Sequence, residues 1–129
     1  MKLRRAMAMF LPSLLTIPAA LGATDYRGVN PAEAVQVAKD QNTFILDVRT
    51  PKEYASGHLA RARLIPIDDL PHRFNELPGD KNKKILVYCA GGIRSAHAAK
   101  LLSAKGYTHV LNLRGGIWLW RIAGHTVIK

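Results

Sequence analysis

The feature that most constrains the fold is a regular alternation of short apolar runs with amphipathic segments. Three runs have the length and composition of buried β-strands: residues 43–48, 84–88 and 109–113. Segments with helical spacing of their apolar residues lie between them. Strands that alternate with helices form βαβ units, in which successive strands are parallel. The sequence therefore predicts an α/β domain: a small, mostly parallel sheet flanked by helices on both faces.

Prolines, glycines and capping residues predict where the helices begin and end. Pro after Asn30 is typical of a first helical position, and Asp69 and Ser95 are candidate N-caps. Glycine commonly follows the last helical residue. The predicted helices start at Pro31, span 51–56, run from Asp69 to about Leu77, run from Ser95 to Gly106, and span 117–123. Residues 63–67 are predicted to be extended.

The first residues have the order of a secretory signal peptide. Lys2, Arg4 and Arg5 precede an uncharged stretch over residues 6–23, which ends in small residues around Gly22. This predicts cleavage after Gly22, with Ala23 as the alternative, leaving a single domain over residues 23–129. The stretch is short for a membrane span, so no stable membrane insertion is expected once the leader is removed. We expect a periplasmic or secreted protein; a mitochondrial presequence is the alternative interpretation.

The charge balance limits which classes of binding partner are expected. The chain carries 19 basic and nine acidic residues. Losing the three basic residues of the leader leaves 16 against nine, a net charge of +7. The basic residues are dispersed, and the only dense run, at 81–84, is typical of a solvated turn. Without a basic stripe interleaved with aromatic residues, nucleic-acid binding is not expected, whereas an anionic small molecule is a suitable partner.

The single cysteine, Cys89, directly follows an apolar strand and begins a glycine-rich loop. In parallel sheets, ligands bind beyond the carboxyl ends of the strands, where this loop is expected to lie. Two glycines allow backbone N–H groups to turn inward, and a following helix adds the positive end of its dipole. These features predict a reactive thiolate. The residues expected to bind substrate around it are Ala90, Gly91, Gly92, Ile93, Arg94 and Ser95.

The residues alone leave several chemistries open. A thiolate in an anion-binding loop suits a sulfurtransferase, a cysteine phosphatase or a redox thiol. A thioredoxin-like dithiol is excluded within this chain because there is no second cysteine. Acyl transfer assisted by a histidine stays formally open, although no histidine is spaced to indicate pairing with Cys89. No His, Asp or Glu spacing is typical of a metal site, so no metal is expected.

Several motifs, in order along residues 29–124, resemble a single-domain rhodanese. The motifs that carry the resemblance are Leu46-Asp47-Val48-Arg49, Glu53-Tyr54, Gly57-His58-Leu59, Ile65-Pro66, Cys89 to Ser95, Asn112 to Ile117, and Trp120. The resemblance implies a rhodanese-like fold and a thiosulfate sulfurtransferase that carries sulfur as a persulfide on Cys89. It implies no metal and no organic cofactor. The donor is then an anionic sulfur compound, and the acceptor is cyanide in an assay or a thiol in the cell.

Loop length distinguishes sulfur from phosphorus chemistry within the wider superfamily. Four residues separate Cys89 from Arg94, as in the rhodanese sulfur-binding loop, whereas the related phosphatases have one residue more. In the implied mechanism the Cys89 thiolate takes the outer sulfur of thiosulfate, sulfite leaves, and the acceptor then removes the sulfur. The alternatives are a cysteine phosphatase or arsenate-reductase-like enzyme, and a non-enzymatic persulfide carrier.

Residues outside the loop are assigned mainly structural roles. Asp47 and Arg49 are expected to form an ion-pair network beneath the loop, with Arg49 four residues from Glu53. The resemblance makes His58 and Trp120 structural. Trp118 is expected to be packed on a loop, with exposure for a partner as the alternative, and His97 is a candidate for positioning an acceptor. The chain departs from the family at Ala60-Arg61, where relatives usually have Pro-Gly, and Arg61 is expected to add a basic group to the surface.

Overall fold

The computed structural model describes residues 25–129, which form a five-stranded parallel sheet covered by helices. The strands are β1 (Tyr26–Val29), β2 (Phe44–Asp47), β3 (Arg63–Leu64), β4 (Ile85–Tyr88) and β5 (Val110–Leu113). Their order across the sheet is β1-β5-β4-β2-β3, and every neighbouring pair is parallel. The predicted α/β architecture is confirmed, with β4 as the central strand.

Four helices connect the strands. They are α1 (Pro31–Lys39), α2 (Pro51–Ala55), α3 (Ile93–Ala104) and α4 (Gly116–Ile122). Prolines occupy the first turns of α1 and α2, and the side chains of Asn30 and Thr50 cap them by accepting the amides of Glu33 and Glu53. Both boundaries agree with the sequence prediction. Within residues 25–129, no helix is long and apolar enough to cross a membrane, and the predicted leader lies outside the described residues.

Side-chain alternation along the strands divides the core into two layers. On β4, Leu86 and Tyr88 pack with α1 and α4 on one face, whereas Val87 and the following Cys89 pack with α3 on the other. All four residues of β4 are buried, as expected for a strand covered on both sides. Trp120 is buried against the first of these layers, as the resemblance implies. Cys89 therefore leaves the sheet on the side from which α3 starts.

One predicted helix is wrong, and one strand was missed. The helix expected from Asp69 to Leu77 is instead two 3-10 turns, Leu70–His72 and Phe74–Glu76. Pro71 lacks an amide donor and restricts the residue before it, and the Asp69 side chain caps nothing. Strand β1 has no apolar run that would have revealed it, since its residues are Tyr, Arg, Gly and Val.

Ser95 is not the N-cap of α3, as the sequence predicted. The cap is Gly92, which has a φ of 107° that a side chain would disfavour, so the cap lies three residues earlier than predicted and the helix begins at Ile93. Ser95 therefore lies in the first turn of the helix, and its hydroxyl is free to point back toward the loop. Glycine at position 92 thus decides both the loop shape and the direction of the serine side chain.

Arg61 occupies the left-handed backbone region, the only residue other than glycine to do so among residues 25–129. Its φ is 63°, so the turn keeps the conformation that the family's usual glycine would adopt. The guanidinium donates hydrogen bonds to the carbonyl oxygens of Ala38, Asp40 and Thr43 around the end of α1. These contacts compensate a backbone conformation that costs a side-chain-bearing residue roughly 1–2 kcal/mol.

Substitution of Arg61 is expected to separate backbone strain from side-chain bonding. Arg61→Ala should lower the free energy of unfolding by about 1 kcal/mol, because the hydrogen bonds are lost and the strain stays. Arg61→Gly loses the same bonds but relieves the strain, so it should be about 1 kcal/mol more stable than the alanine variant. Urea unfolding of the three proteins measures this; equal stability of the two variants would contradict it.

Candidate active site

Cys89 lies at the floor of the loop that joins β4 to α3. The residue is 1% exposed. Its Sγ accepts hydrogen bonds from the Gly92 amide at 3.1 Å and the Ser95 hydroxyl at 3.3 Å. The carboxyl end of the central strand supplies the thiol, and the first turn of α3 supplies its donors. The predicted loop residues therefore surround the sulfur.

The loop favours the thiolate form of Cys89. Burial by itself raises the pKa of the thiol, since a charge is less well solvated there. The Ser95 hydroxyl and the amides of Ser95, Gly92 and Gly91 act in the opposite direction and outweigh burial, so the pKa lies below its ordinary value. Donors that stabilise a negative sulfur are the features that a nucleophilic cysteine requires.

The N-terminus of α4 holds the other side of the loop. The amides of Ile117 and Trp118 donate to the carbonyl oxygens of Cys89 and Ala90, at 2.9 and 3.1 Å. Gly116 lies so close that a Cβ there would collide with both carbonyl groups, and its φ is 58°. These bonds orient the two carbonyls toward α4, which leaves the amides that follow free to face the sulfur. The sequence analysis included Gly116 only within the motif from Asn112 to Ile117, and missed this role.

Arg94 is bound to Glu53, a pairing that the sequence analysis missed. Its two terminal nitrogens donate to the two carboxylate oxygens at 2.8 and 2.9 Å. The Arg94 hydrogen bonds hold the pKa of Glu53 at about 2, against the opposing effect of its burial. The charge of Arg94 is therefore balanced by a carboxylate. Because 41 residues separate the pair, no local pattern indicates it.

Asp47 and Arg49 lie together beneath the loop and are both buried. The Arg49 guanidinium donates to the Asp47 carboxylate, at 2.7 Å for the shortest bond, and to the Gly57 carbonyl oxygen at 2.7 Å. The Tyr88 hydroxyl donates to the same carboxylate at 2.7 Å. Burial and the Asp47 charge raise the pKa of Tyr88, so the phenol stays a donor. Since Tyr88 precedes Cys89, this network supports the strand end that carries the thiol.

A pocket of about 230 Å³ opens above the thiol. Its lining residues are Glu53, Cys89, Ala90, Gly91, Ile93, Arg94 and Trp118. Ser95 and Gly92 lie behind the sulfur, where they donate to it. Across residues 25–129 no three His, Cys, Asp or Glu side chains are grouped to hold a metal ion. The pocket presents a thiol with a lowered pKa that is surrounded by hydrogen-bond donors.

Residues 30–123 match the model of the rhodanese-like domain family. The chain belongs to the rhodanese family. The match covers the sheet from α1 onward, both sides of the active loop and all but the end of the chain, so the resemblance seen in the sequence is confirmed.

Two proteins are similar to this rhodanese domain over most of their own length. A sulfurtransferase of Allochromatium vinosum is 37% identical over 93 residues, which are 72% of this chain and 85% of the relative. A crystal structure of a rhodanese-related protein from Thermoplasma volcanium superimposes with a TM-score of 0.72 at 38% identity, covering 80% of this chain and 98% of the other. Family and relative together support sulfur transfer as the chemistry of this protein.

A third relative contains a comparable domain within a longer protein. The tRNA uridine(34) hydroxylase of Erwinia tasmaniensis is 38% identical over 90 residues, which are 67% of this chain but 26% of the hydroxylase. The rhodanese domain thus corresponds to about a quarter of that protein. The hydroxylase name is that of the longer protein and is not carried over to this chain.

Trp118 was expected to pack on a loop, and its six-membered ring does lie against Gly91 of the active loop at the pocket rim. The indole nevertheless stays 63% exposed, which the sequence analysis gave as the alternative. A Cβ added to Gly91 would be 3.0 Å from the six-membered ring of the indole. His97 is exposed on α3 and does not line the pocket. Trp118, rather than His97, is the large side chain beside the thiol.

The lowered thiol pKa predicts a pH dependence that Ser95 controls. Ser95→Ala removes one donor to the thiolate and should raise the pKa of Cys89, so less thiolate is present at neutral pH. A hydrogen bond to a charged group contributes about 1.5–3 kcal/mol, so alkylation at pH 6–7 should slow by roughly tenfold. Well above the ordinary thiol pKa of about 8.5 the two proteins should react at equal rates.

The measurement is the rate of iodoacetamide alkylation against pH. Ser103→Ala is the matched control, because Ser103 lies on the same helix and its hydroxyl donates to the Asp25 carbonyl oxygen rather than to Cys89. Its alkylation profile should overlay that of the wild type. An unshifted profile for Ser95→Ala would show that the hydroxyl does not stabilise the thiolate.

Proposed function

We propose that the protein transfers the sulfane sulfur of thiosulfate to a thiol or to cyanide through a persulfide on Cys89. The observation that carries this proposal is the environment of Sγ: a thiol with a lowered pKa that accepts the Gly92 amide and the Ser95 hydroxyl. The family supports sulfur transfer, and the identity of donor and acceptor is the added step.

The first half-reaction moves one sulfur atom onto the enzyme. The Cys89 thiolate attacks the outer sulfur of thiosulfate and forms a new S–S bond. The bond between the two sulfur atoms of thiosulfate breaks, and its electron pair leaves with sulfite. Negative charge passes from Sγ to the outer sulfur, and donors already oriented toward the sulfur stabilise it without rearrangement. The lowered pKa of Cys89 favours ionisation of the nucleophile, which lessens the need for a general base.

The second half-reaction restores the thiolate. A nucleophilic acceptor attacks the outer sulfur of the persulfide, the Cys89 S–S bond breaks, and the electron pair returns to Sγ. Cyanide becomes thiocyanate, and a thiolate becomes a persulfide. The donors from Gly92 and Ser95 then stabilise Cys89 as the leaving group, so the same donors act in both half-reactions.

The proposal is tested by the mass of the intact protein after incubation with thiosulfate. We expect the mass to rise by one sulfur atom and to return to its original value on addition of cyanide, with formation of thiocyanate. An aryl phosphate assayed in parallel should show no turnover dependent on Cys89. Turnover of the phosphate without a sulfur adduct would favour a cysteine phosphatase, and a stable adduct that no acceptor discharges would favour a persulfide carrier.

We further propose that the protein acts outside the cytoplasm, after removal of residues 1–22. The charge and apolar pattern of those residues support this proposal. In a compartment that favours disulfides, an unpaired cysteine is suited to a reactive role. N-terminal sequencing of the protein recovered from a periplasmic extract should begin at residue 23. Recovery only from the cytoplasm, with the first residues intact, would contradict export.

A further inference from the structure

We propose that Trp118, together with Ile93, selects the acceptor, and that the acceptor is a small organic thiol with an apolar or aromatic body. The inference rests on the proposed function and names the acceptor class for the same pocket. It starts from a division within the pocket lining. Glu53 and Arg94 form a charged side, whereas Ile93 and Trp118 present apolar surface.

The apolar side of the pocket is largely exposed to solvent, so burial in the core does not account for its apolar residues. Ile93 is 86% and Trp118 is 63% exposed, so neither side chain contributes much to the core. Large apolar residues grouped on a surface commonly mark a binding site. Both residues border the one cysteine of the chain, and the indole lies directly over Gly91 of the active loop.

Thiosulfate does not account for this apolar surface. It is a hydrated dianion, which is stabilised by N–H donors and positive charge and gains little from a tryptophan face. The amides that meet its charge come from the loop itself. The two apolar side chains are thus without a function in the first half-reaction, and their contribution is expected in the second.

The geometry of the second half-reaction places the body of the acceptor against Trp118. Cys89 is buried at the pocket floor, and an S–S bond of about 2.05 Å moves the reacting sulfur outward, toward the rim. The acceptor thiolate must approach along the extension of that bond, so the rest of the molecule remains at the rim. A pocket of about 230 Å³ fits a small molecule. An aromatic ring there can stack on the indole.

The chemical step is the one already described for a thiol. The acceptor thiolate forms an S–S bond to the outer sulfur, the bond to Cys89 breaks, and the electron pair returns to Sγ. If the acceptor arrives as a thiol, its proton is released to solvent. The product is the persulfide of the organic thiol. Trp118 takes no part in these bond changes; it is a specificity-determining residue that positions the acceptor.

The test compares discharge of the persulfide by two thiols of similar basicity, 2-phenylethanethiol and 2-mercaptoethanol, and by cyanide. In Trp118→Ala, the rate constant for 2-phenylethanethiol should fall by about tenfold, the effect of losing one aromatic contact. The rate constants for 2-mercaptoethanol and cyanide should change less than twofold, and loading from thiosulfate should be unchanged. Trp118→Phe should restore most of the loss.

Ile122→Ala is the matched control. Ile122 is exposed on the same helix, one turn from Trp118, and does not line the pocket, so this variant should match the wild type with all three acceptors. The backbone amide that Trp118 donates to Ala90 is retained in both Trp118 variants, which keeps the loop anchored. Thermal melts that overlay the wild type confirm the fold.

The outcomes separate this inference from the proposed function. If no sulfur loads onto wild-type Cys89 from thiosulfate, the proposed donor is wrong, and inorganic polysulfide is used to load the persulfide for the same comparison. If the persulfide forms and Trp118→Ala discharges both thiols in the wild-type ratio, the acceptor inference alone is overturned. An equal loss with all three acceptors would also overturn it, since it would show a general defect in the loop.

Discussion

Cys89→Ser is expected to abolish both the thiosulfate-dependent sulfur adduct and all formation of thiocyanate from cyanide. Serine is close in size and keeps the loop, but an alcohol is not ionised at neutral pH and is a far weaker nucleophile toward sulfur than a thiolate. The surrounding donors lower the pKa of a thiol, and they do not bring an alcohol into the same range. The loss should therefore be complete rather than partial.

Intact-mass measurement and a thiocyanate assay check this result on the same protein samples. Cys89 is buried between β4 and α3, so the fold of the variant is checked first by urea unfolding. The midpoint urea concentration should differ from that of the wild type only by the small amount that an isosteric substitution produces. The chain has a single cysteine, so an adduct on the serine variant has no thiol to explain it. Thiocyanate formation above background in that variant would refute the persulfide mechanism.

Asp47→Asn is expected to lower the free energy of unfolding by about 3–5 kcal/mol, more than the Arg61 variants do. The carboxylate is fully buried and is the only carboxylate paired with the buried Arg49 guanidinium within the described part of the chain. Asparagine has the same shape, so no cavity forms, and the cost comes from a positive charge left in the interior without its counter-charge. The end of β4 should loosen with it, because the Tyr88 hydroxyl donates to the same carboxylate.

Urea unfolding measures this loss, and two further variants identify its cause. Asp40→Asn removes a charge that faces Lys84 at 3.7 Å on the surface, and should change stability by less than about 0.5 kcal/mol. Adding Arg49→Met to Asp47→Asn removes the uncompensated charge and should recover part of the stability. A double variant no more stable than Asp47→Asn would show that lost hydrogen bonds, and not the buried charge, cause the effect.

The central part of the fold was predictable because its signals are local and strong. Strands β2, β4 and β5 coincide with the three apolar runs, since a strand buried on both faces is mostly apolar. Strand β1 carried no such signal. It contains Arg27 and Gly28, and its conformation depends on pairing with β5, in a register that sets Tyr26 beside Val110.

The segment around Asp69 shows a different limit. Two acidic residues before an apolar one are typical of a helix start, and the pattern alone favours a helix. The Asp69 side chain makes no capping hydrogen bond, and Pro71 disfavours a helical backbone at Leu70, so the chain turns twice in 3-10 geometry instead. The side chain of Leu70 is still buried in the core, so its burial does not require the predicted helix.

The reactive part of the site is contiguous in sequence, and this explains why it was found. Cys89, Gly92 and Ser95 are within seven residues, and a strand end followed by glycines and a helix start is enough to bring donors to the sulfur. Even there the cap position was wrong by three residues, because the choice between Gly92 and Ser95 depends on the left-handed backbone at Gly92.

The sequence by itself determined the alternation of strands and helices, the position of the thiol at a strand end, and the loop whose donors lower its pKa. Each of these follows from interactions among residues close along the chain. Only the tertiary structure decided that Glu53 neutralises Arg94, that Gly116 lies against the Cys89 carbonyl, and that Trp118 covers Gly91. Those contacts join segments that meet only because β4 lies between β2 and β5. Parallel crossovers bring together loops that are far apart along the chain, by 41 residues for Glu53 and Arg94.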